Sequence, residues 1–227
     1  MKISNFSLAI GIPLTFPMVP SGFFYSFAHM DKPKEYTLIH ADNGSGSIDA
    51  LRNDLVDMAL QGGASHLIMM DTDQIYPVET IPRLLSHKLP IVGCVVHRRY
   101  PPFDPILLRG KMGDYESIDE WEEGALVEVD ATGTGCMMFD MQIFRKMPRP
   151  WFKFRKLETG EGIGEDIGFC SDLRAAGYRI FVDTTIQCGH LTTLNVTADT
   201  YKLYKSVKIK QHKELLERAL SNGENQK

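Results

Sequence analysis

HLIMMDTDQIYP, residues 66–77, is the stretch whose reading decides the fold. Leu67 to Met70 form an apolar run that reads as the end of a buried strand. Asp71 and Asp73 then close it, with one threonine between them. In extended backbone, residues i and i+2 share a side, so both carboxylates can face one ligand. Two such charges repel and are costly to desolvate unless a cation offsets them. Hard oxygen ligands suit Mg2+ or Mn2+, and a site with few protein carboxylates completes its shell with substrate phosphates. The competing reading is a pair of solvated loop acids, one of them capping the next helix. A position directly behind a buried strand favours the metal reading.

Outward from this strand, apolar runs alternate with helical patterns. Leu8 to Ile12 reads as strand one, residues 18–30 as a short helix, and Tyr36 to Ala41 as strand two. DNGSGS (42–47) is a turn-rich loop, and Ser47 caps a helix whose apolar stripe is Ile48, Leu51, Leu55, Met58 and Ala59. Gly62 and Gly63 stop that helix before strand three, HLIMM. Residues 78–87 form a helix with Pro82 in its first turn, and LPIVGCVVH (89–97) is strand four. This order predicts an α/β fold of βαβ units, a Rossmann-like, mainly parallel sheet flanked by helices.

The second half reads differently. Residues 100–106 are proline-rich and extended, and residues 110–124 are polar. LVEVDATGTGCMMFDMQIF (126–144) reads as a strand, a glycine loop and a further strand or helix start. Residues 154–166 form a glycine-rich loop expected to be mobile, followed by a helix, a strand ending near His190, and an amphipathic helix over 198–221. In an open parallel sheet the loops after the strands converge on the ligand crevice. Here those loops hold Pro13-Leu14-Thr15, Asp42-Asn43-Gly44, Asp71-Thr72-Asp73 and His97-Arg98-Arg99.

Composition narrows the function classes. A net charge of −4 and the absence of a basic tract argue against a nucleic-acid partner. No run approaches the roughly 18 apolar residues of a membrane span. The apolar N-terminus is broken by Gly11, Pro13, Pro17 and Pro20 and reads as a strand and loop, so a cytoplasmic location is expected. The four cysteines (94, 136, 170, 188) lie far apart with no CxxC pair, which reads as buried small hydrophobes in a reducing compartment.

Three further motifs carry polar chemistry. Gly164-Glu165-Asp166 joins the glycine-rich loop to a helix start, where acids either favour the helix dipole or supply a general base beneath a lid hinged at Gly160, Gly162 and Gly164. Cys188-Gly189-His190 ends a strand on an open edge; as a ligand, the imidazole would tilt the site toward Mn2+. Gly133-Thr134-Gly135 permits close backbone approach to a ligand or a tight bulge. No GxGxxG fingerprint or P-loop is present, so a nicotinamide enzyme fits poorly.

Taken in order, these pieces resemble the GT-A glycosyltransferases, particularly the family 2-like group. The matching segments are Pro13-Leu14-Thr15, the helix around Arg52-Asn53, MMDTDQIYP as the Asp-x-Asp motif, LPIVGCVVHRRYPP, VDATGTGCMMF, GEDIGFCSDLRAAGYRIFVD and Gly189-His190. Together they span roughly residues 6–192. The resemblance implies a GT-A catalytic domain over 1–195, with a nucleotide-sugar-binding half (1–100) and an acceptor or catalytic half (101–195), and a C-terminal helix and tail over 196–227. It implies that Asp73 and His190 hold Mn2+ (or Mg2+), with Asp71 on the ribose or a metal-bound water. Pro13, Leu14, Thr15 and Asp42 would hold the nucleobase and ribose; Arg52, Asn53 and Thr72 would lie near the nucleotide or its diphosphate. Gly133, Thr134 and Gly135 would line the sugar-acceptor pocket. His97-Arg98-Arg99 reads either as a grip on the diphosphate or acceptor or as partners of surface acids. Asp166 would be the base, Glu165 its neighbour, and the glycine loop a cover that excludes water.

The expected activity is hexosyl transfer from a UDP-sugar to an acceptor of unknown identity, with inverting favoured over retaining chemistry. A homodimer through the apolar face of the C-terminal helix is a further expectation, behind packing of that helix on its own domain. The rivals are an α/β nucleotidyltransferase and a non-catalytic nucleotide-sugar-binding module. The first needs a basic, glycine-rich loop after strand one, whereas PLTFPMVPSG (13–22) has no lysine or arginine.

Overall fold

The computed structural model describes residues 6–42 and 46–224 of the 227-residue chain; Asn43 and Gly44 of the turn-rich loop lie outside them. The described chain divides into two units, one ending at Leu191 and one beginning at Thr192.

The first unit opens with β1 (Leu8–Pro13), α1 (Ser21–His29), β2 (Thr37–Ala41), α2 (Ile48–Gln61) and β3 (His66–Met70). After β3 come β4 (Gln74–Ile75), α3 (Thr80–Ser86) and β5 (Ile91–Val95). The second half holds β6 (Leu107–Lys111), β7 (Asp114–Ser117), β8 (Leu126–Val129), β9 (Ala131–Thr132), β10 (Cys136–Asp140) and α4 (Gln142–Lys146). It ends with β11 (Arg155–Lys156), β12 (Gly162–Ile163), α5 (Glu165–Ala175), β13 (Ile180–Gln187) and β14 (Gly189–His190). The second unit contains α6 (Ala198–Glu224).

Seven strands form the central sheet in the order β2-β1-β3-β10-β5-β13-β8. β2, β1, β3, β5 and β13 run one way, while β10 is antiparallel to both its neighbours and β8 is antiparallel to β13. The fold is therefore α/β with a mainly parallel sheet flanked by helices. Both faces are covered, which is why the strands read as continuous apolar runs instead of alternating ones. On β3, Leu67 and Met69 enter one apolar cluster, and Ile68 and Met70 enter the other. β5 divides likewise, with Ile91 and Val95 on one side and Val92 and Cys94 on the other.

One cluster anchors the helix that matters most for the site. Phe169 of α5 is fully buried, with its ring centroid 4.5 Å from Phe152, 5.6 Å from Phe144 and 5.9 Å from Phe139. Full burial of such a side chain contributes about 1.5–3 kcal/mol. α5 is thereby held against the sheet one turn after Glu165 and Asp166.

The polar stretch 110–124 holds structure that its composition conceals. β6 and β7 form a hairpin that turns after Lys111, and β9 joins β6 to make a three-stranded sheet. Most of the hairpin is exposed, so no alternating apolar pattern marks it. The glycine-rich segment also contains a short ribbon, with Arg155 opposite Ile163 and Lys156 opposite Gly162. In α6, Tyr201, Leu203, Tyr204, Val207 and Ile209 are exposed; the side chains of Leu215, Leu216 and Leu220, expected on its apolar face, lie outside those described. No helix among the described residues is long and apolar enough to cross a membrane.

Candidate active site

The parallel strands deliver their carboxyl ends to one edge of the sheet. Pro13 lies opposite Ala41 at the ends of β1 and β2, and the Leu14 amide donates to Ala41 O at 2.9 Å. Thr15 and Asp42 follow as exposed residues, and Asp71 to Asp73 follow β3. The His97-Arg98-Arg99 segment follows β5 at the same edge.

Arg52 is the hinge of the site. Its guanidinium, 3% exposed as a residue, donates through Nη2 to Asp71 Oδ2 at 2.9 Å and through Nε to Glu165 Oε1 at 3.0 Å. One buried cation thus ties the Asp-x-Asp strand end to the Glu-Asp helix start. Burial works against its charge, but Asp71, Glu165 and Asp166 keep it firmly protonated. Asn53, expected near the nucleotide, is committed elsewhere. Its Nδ2 donates to Asp49 O and Phe152 O, both at 2.7 Å, and its Oδ1 accepts from the Trp151 and Phe152 amides. Adjacent helical positions point about 100° apart, so Arg52 faces the site while Asn53 braces residues 151–152.

Asp166 sits in the first turn of α5, with Oδ1 accepting the Ile167 amide at 2.7 Å. Desolvation and the neighbouring Glu165 push its carboxyl up to about 6, against the opposing pull of Arg52. Such a group is poised to exchange a proton near neutrality. A Cβ on Gly133 would lie 3.7 Å from Asp166 Oδ2, so the glycine loop borders this carboxylate. A Cβ on Gly164 would come within 2.7 Å of Asp166 Oδ1.

Two residues of the opening motif missed by sequence reasoning build the floor. The Asp71 amide donates to Gly135 O at 2.9 Å, and the buried Tyr76 hydroxyl shares its one hydrogen between Asp71 O (2.6 Å) and Gly135 O (2.8 Å). A side chain at Gly135 would strike Gln74 Nε2 and come within 2.8 Å of Asp71 Oδ2. The one signal available in the sequence was an aromatic residue three positions beyond the second acid.

Asp73 and His190 form a second pole. Asp73 Oδ2 lies 3.3 Å from His190 Nε2 and 3.0 Å from Arg99 Nη1. Burial tends to raise the Asp73 carboxyl, but His190 and Arg99 hold it below its ordinary value. Burial tends to lower the His190 imidazole, yet Asp73 and the His97 carbonyl raise it. Because a carbonyl can only accept, the 2.5 Å contact with His97 O places a hydrogen on His190 Nδ1 and turns Nε2 toward Asp73. His97 Nδ1 bonds Phe103 O at 2.8 Å, and Arg98 donates to the Tyr100 hydroxyl at 3.1 Å.

These residues fit a hard divalent cation. Adjacent ligands about 2.1 Å from one octahedral ion lie about 3 Å apart, close to the Asp73–His190 spacing. Asp71 Oδ1 and Gln74 Oε1, on either side of Asp73 in the chain, are buried without a hydrogen-bond partner. Asp71 itself is turned toward Arg52. Asp71, Asp73 and His190 do not form a set with all ligand atoms within 4.8 Å; among the described residues Cys94, Cys136 and Cys188 do.

No family model matches the sequence, and no curated protein matches it. Solved structures do match by shape. The fold is similar to that of a GT-A glycosyltransferase. GalNAc-T7, crystallised with UDP, GalNAc and Mn2+, aligns with a TM-score of 0.54 at 12% identity, over 85% of this chain and 45% of that chain. A197 from STIV aligns with a TM-score of 0.54 at 18% identity, over 83% of this chain and 86% of that one. At such identities the likeness is one of fold. This chain spans under half the length of the GalNAc-T7 chain.

Proposed function

We propose that this protein is a metal-dependent glycosyltransferase moving a sugar from a UDP-sugar to an acceptor hydroxyl. The observation that carries the reading is the Arg52 bridge: it brings the Asp-x-Asp strand end and the Glu-Asp helix start into one site, beside the Asp73–His190 pair. Mn2+ (or Mg2+), held by Asp73 and His190, would supply Lewis-acid neutralisation of the charge that grows on the leaving diphosphate.

Asp166 removes the acceptor hydroxyl proton, a role worth about 10²- to 10⁴-fold in rate. Glu165, paired with Arg52, fixes the start of α5, which keeps Asp166 in place. Pro13, Leu14, Thr15, Asp42 and Thr72 contact the nucleotide from the ends of β1, β2 and β3. Gly133 to Gly135 line the sugar-acceptor pocket; Gly133 borders the Asp166 carboxylate, and the missing side chain at Gly135 lets Gln74 and Asp71 pack against the loop. His97 and Arg98 lie on the acceptor side, and the segment around β11 and β12 covers the donor and excludes water.

A donor-hydrolysis and transfer screen of UDP- and GDP-sugars with Mn2+, Mg2+ or EDTA tests this reading. Turnover should require a divalent cation and be lost in Asp73→Ala. Full activity in EDTA, or in Asp73→Ala, refutes the metal role. Tight donor binding with no transfer and no slow hydrolysis would instead identify a binding module.

A further inference from the structure

We propose that Cys94, Cys136 and Cys188 form a binding site for one soft, thiol-seeking cation, with Cu(I) the ion whose chemistry fits. The three sulfurs lie within 4.8 Å of one another, and Cys94 Sγ is 3.2 Å from Cys188 Sγ. Each comes from a different element of three neighbouring strands: Cys94 from β5, Cys136 from the start of β10, and Cys188 from just beyond β13, where its amide donates to Val95 O. Convergence of three such remote residues on one point is not required by packing alone, since any small apolar side chain would fill the space.

The donor set is soft. Met70 lies directly opposite Cys136 across β3 and β10, and Met70 and Met138 share the same apolar cluster as the three cysteines. Thiol and thioether ligands select Cu(I) or zinc over Mg2+ or Mn2+. Structural zinc takes four ligands, whereas this set, drawn from the described residues, offers three. Cu(I) accepts three. A metal–sulfur bond of about 2.3 Å places sulfurs about 4 Å apart around one ion, within reach of this triangle.

The cysteines are at most 3% exposed, so an ion held there is shielded from water and from competing oxygen ligands. Cysteine binds a metal as the thiolate, so loading the site releases thiol protons to buffer. The site also has a structural consequence. Cys136 follows Gly135 and Cys188 lies two residues before His190, so a bound cation would clamp the floor of the active site to its far wall.

The test needs no activity measurement, so its outcome is separable from that of the transferase reading. The reduced full-length chain is titrated anaerobically with Cu(I) buffered by bicinchoninate, and copper X-ray absorption is recorded on the product. One Cu(I) per chain with an all-sulfur shell and a raised Tm is expected. Cys94→Ala, Cys136→Ala and Cys188→Ala should each lose this stoichiometry, and Cys170→Ala should keep it. Loss of copper to the chelator, or oxygen or nitrogen in its shell, overturns the proposal on the unmodified chain. A Cys94–Cys188 disulfide in the isolated protein, with no copper bound after reduction, overturns it as well.

Discussion

Replacing Arg52 by methionine should be among the most damaging single changes in this chain. The substitution keeps the length and apolar stem of the side chain while removing a cation that is 4% exposed and serves two carboxylates. Glu165, 8% exposed at its side chain, and Asp71, 22% exposed, would then be left without that partner. Breaking a buried pair from one side costs about 3–5 kcal/mol, because the surviving charge stays desolvated. For a domain of this size each kcal/mol lowers Tm by about 2–4 °C, so a fall of roughly 6–20 °C is expected. Urea unfolding followed by Trp121 and Trp151 fluorescence gives the free energy directly. Arg52→Lys is the informative contrast: it restores charge but lacks the planar fork that reaches both acids, and should recover only part of the loss. The Arg52/Glu165 double-mutant cycle should show a coupling of at least about 1 kcal/mol. A loss below about 1 kcal/mol in Arg52→Met, or additive effects in the cycle, would refute the bridge.

Because Asp166 must be ionised to act as base, transfer should rise with pH through about 6 and then level off. Its folded value lies above the ordinary carboxylate range, so its ionisation costs stability, absent below about pH 4 and full above about pH 6. Asp166→Asn should therefore abolish transfer and yet be more stable than the parent at pH 7.5, by about 2 kcal/mol, with the difference vanishing near pH 4. Asp183, buried between β13 and α3, accepts from Arg83 (2.7 Å) and contacts His87 (2.6 Å). Desolvation works to raise its carboxyl, but the Thr185, Arg83 and His87 bonds hold it down at about 2. Its contribution is full above about pH 4 and lost as pH falls through about 2, so Asp183→Asn should lower neutral-pH stability by about 2 kcal/mol and converge with the parent in acid. Gly135→Ala should impair activity far more than Gly133→Ala, whose new methyl meets nothing closer than 3.7 Å; equal steady-state kinetics would remove the steric argument.

The fold was legible where burial leaves a pattern. Leu67 to Met70 are apolar without a break because both faces of β3 are covered, and Pro82 falls in the first turn of α3 because its missing amide costs nothing there. The β6–β7 hairpin left no such trace, since its residues are largely solvated. Side-chain convergence was harder still to read. Arg52 meets Asp71 across 19 positions and Glu165 across 113, and Cys94 meets Cys188 across 94. Asp71, Asp73, Glu165 and Asp166 stood out through their neighbours in sequence. Tyr76 and Asn53 reach backbone at Gly135 and at residues 151–152 across 59 and about 98 positions, and composition does not signal those contacts.

The two acids of the opening motif, alike in sequence, differ in what their partners allow. Asp71 is bound to a guanidinium that is almost wholly buried, and breaking such a pair costs several kcal/mol. Asp73 pairs with Arg99, which is 59% exposed, and exposed pairs are worth only about 0–1 kcal/mol. His190, its other partner, can give up a proton and present Nε2 as a ligand. Asp73 can therefore exchange partners at little cost, whereas Asp71 cannot. Under the proposed function, that asymmetry, about 2 kcal/mol or more, makes Asp73 the acid suited to take and release a cation during turnover. It makes Asp71 the fixed acid, whose work is to hold Arg52, and through it Glu165, in register with the end of β3.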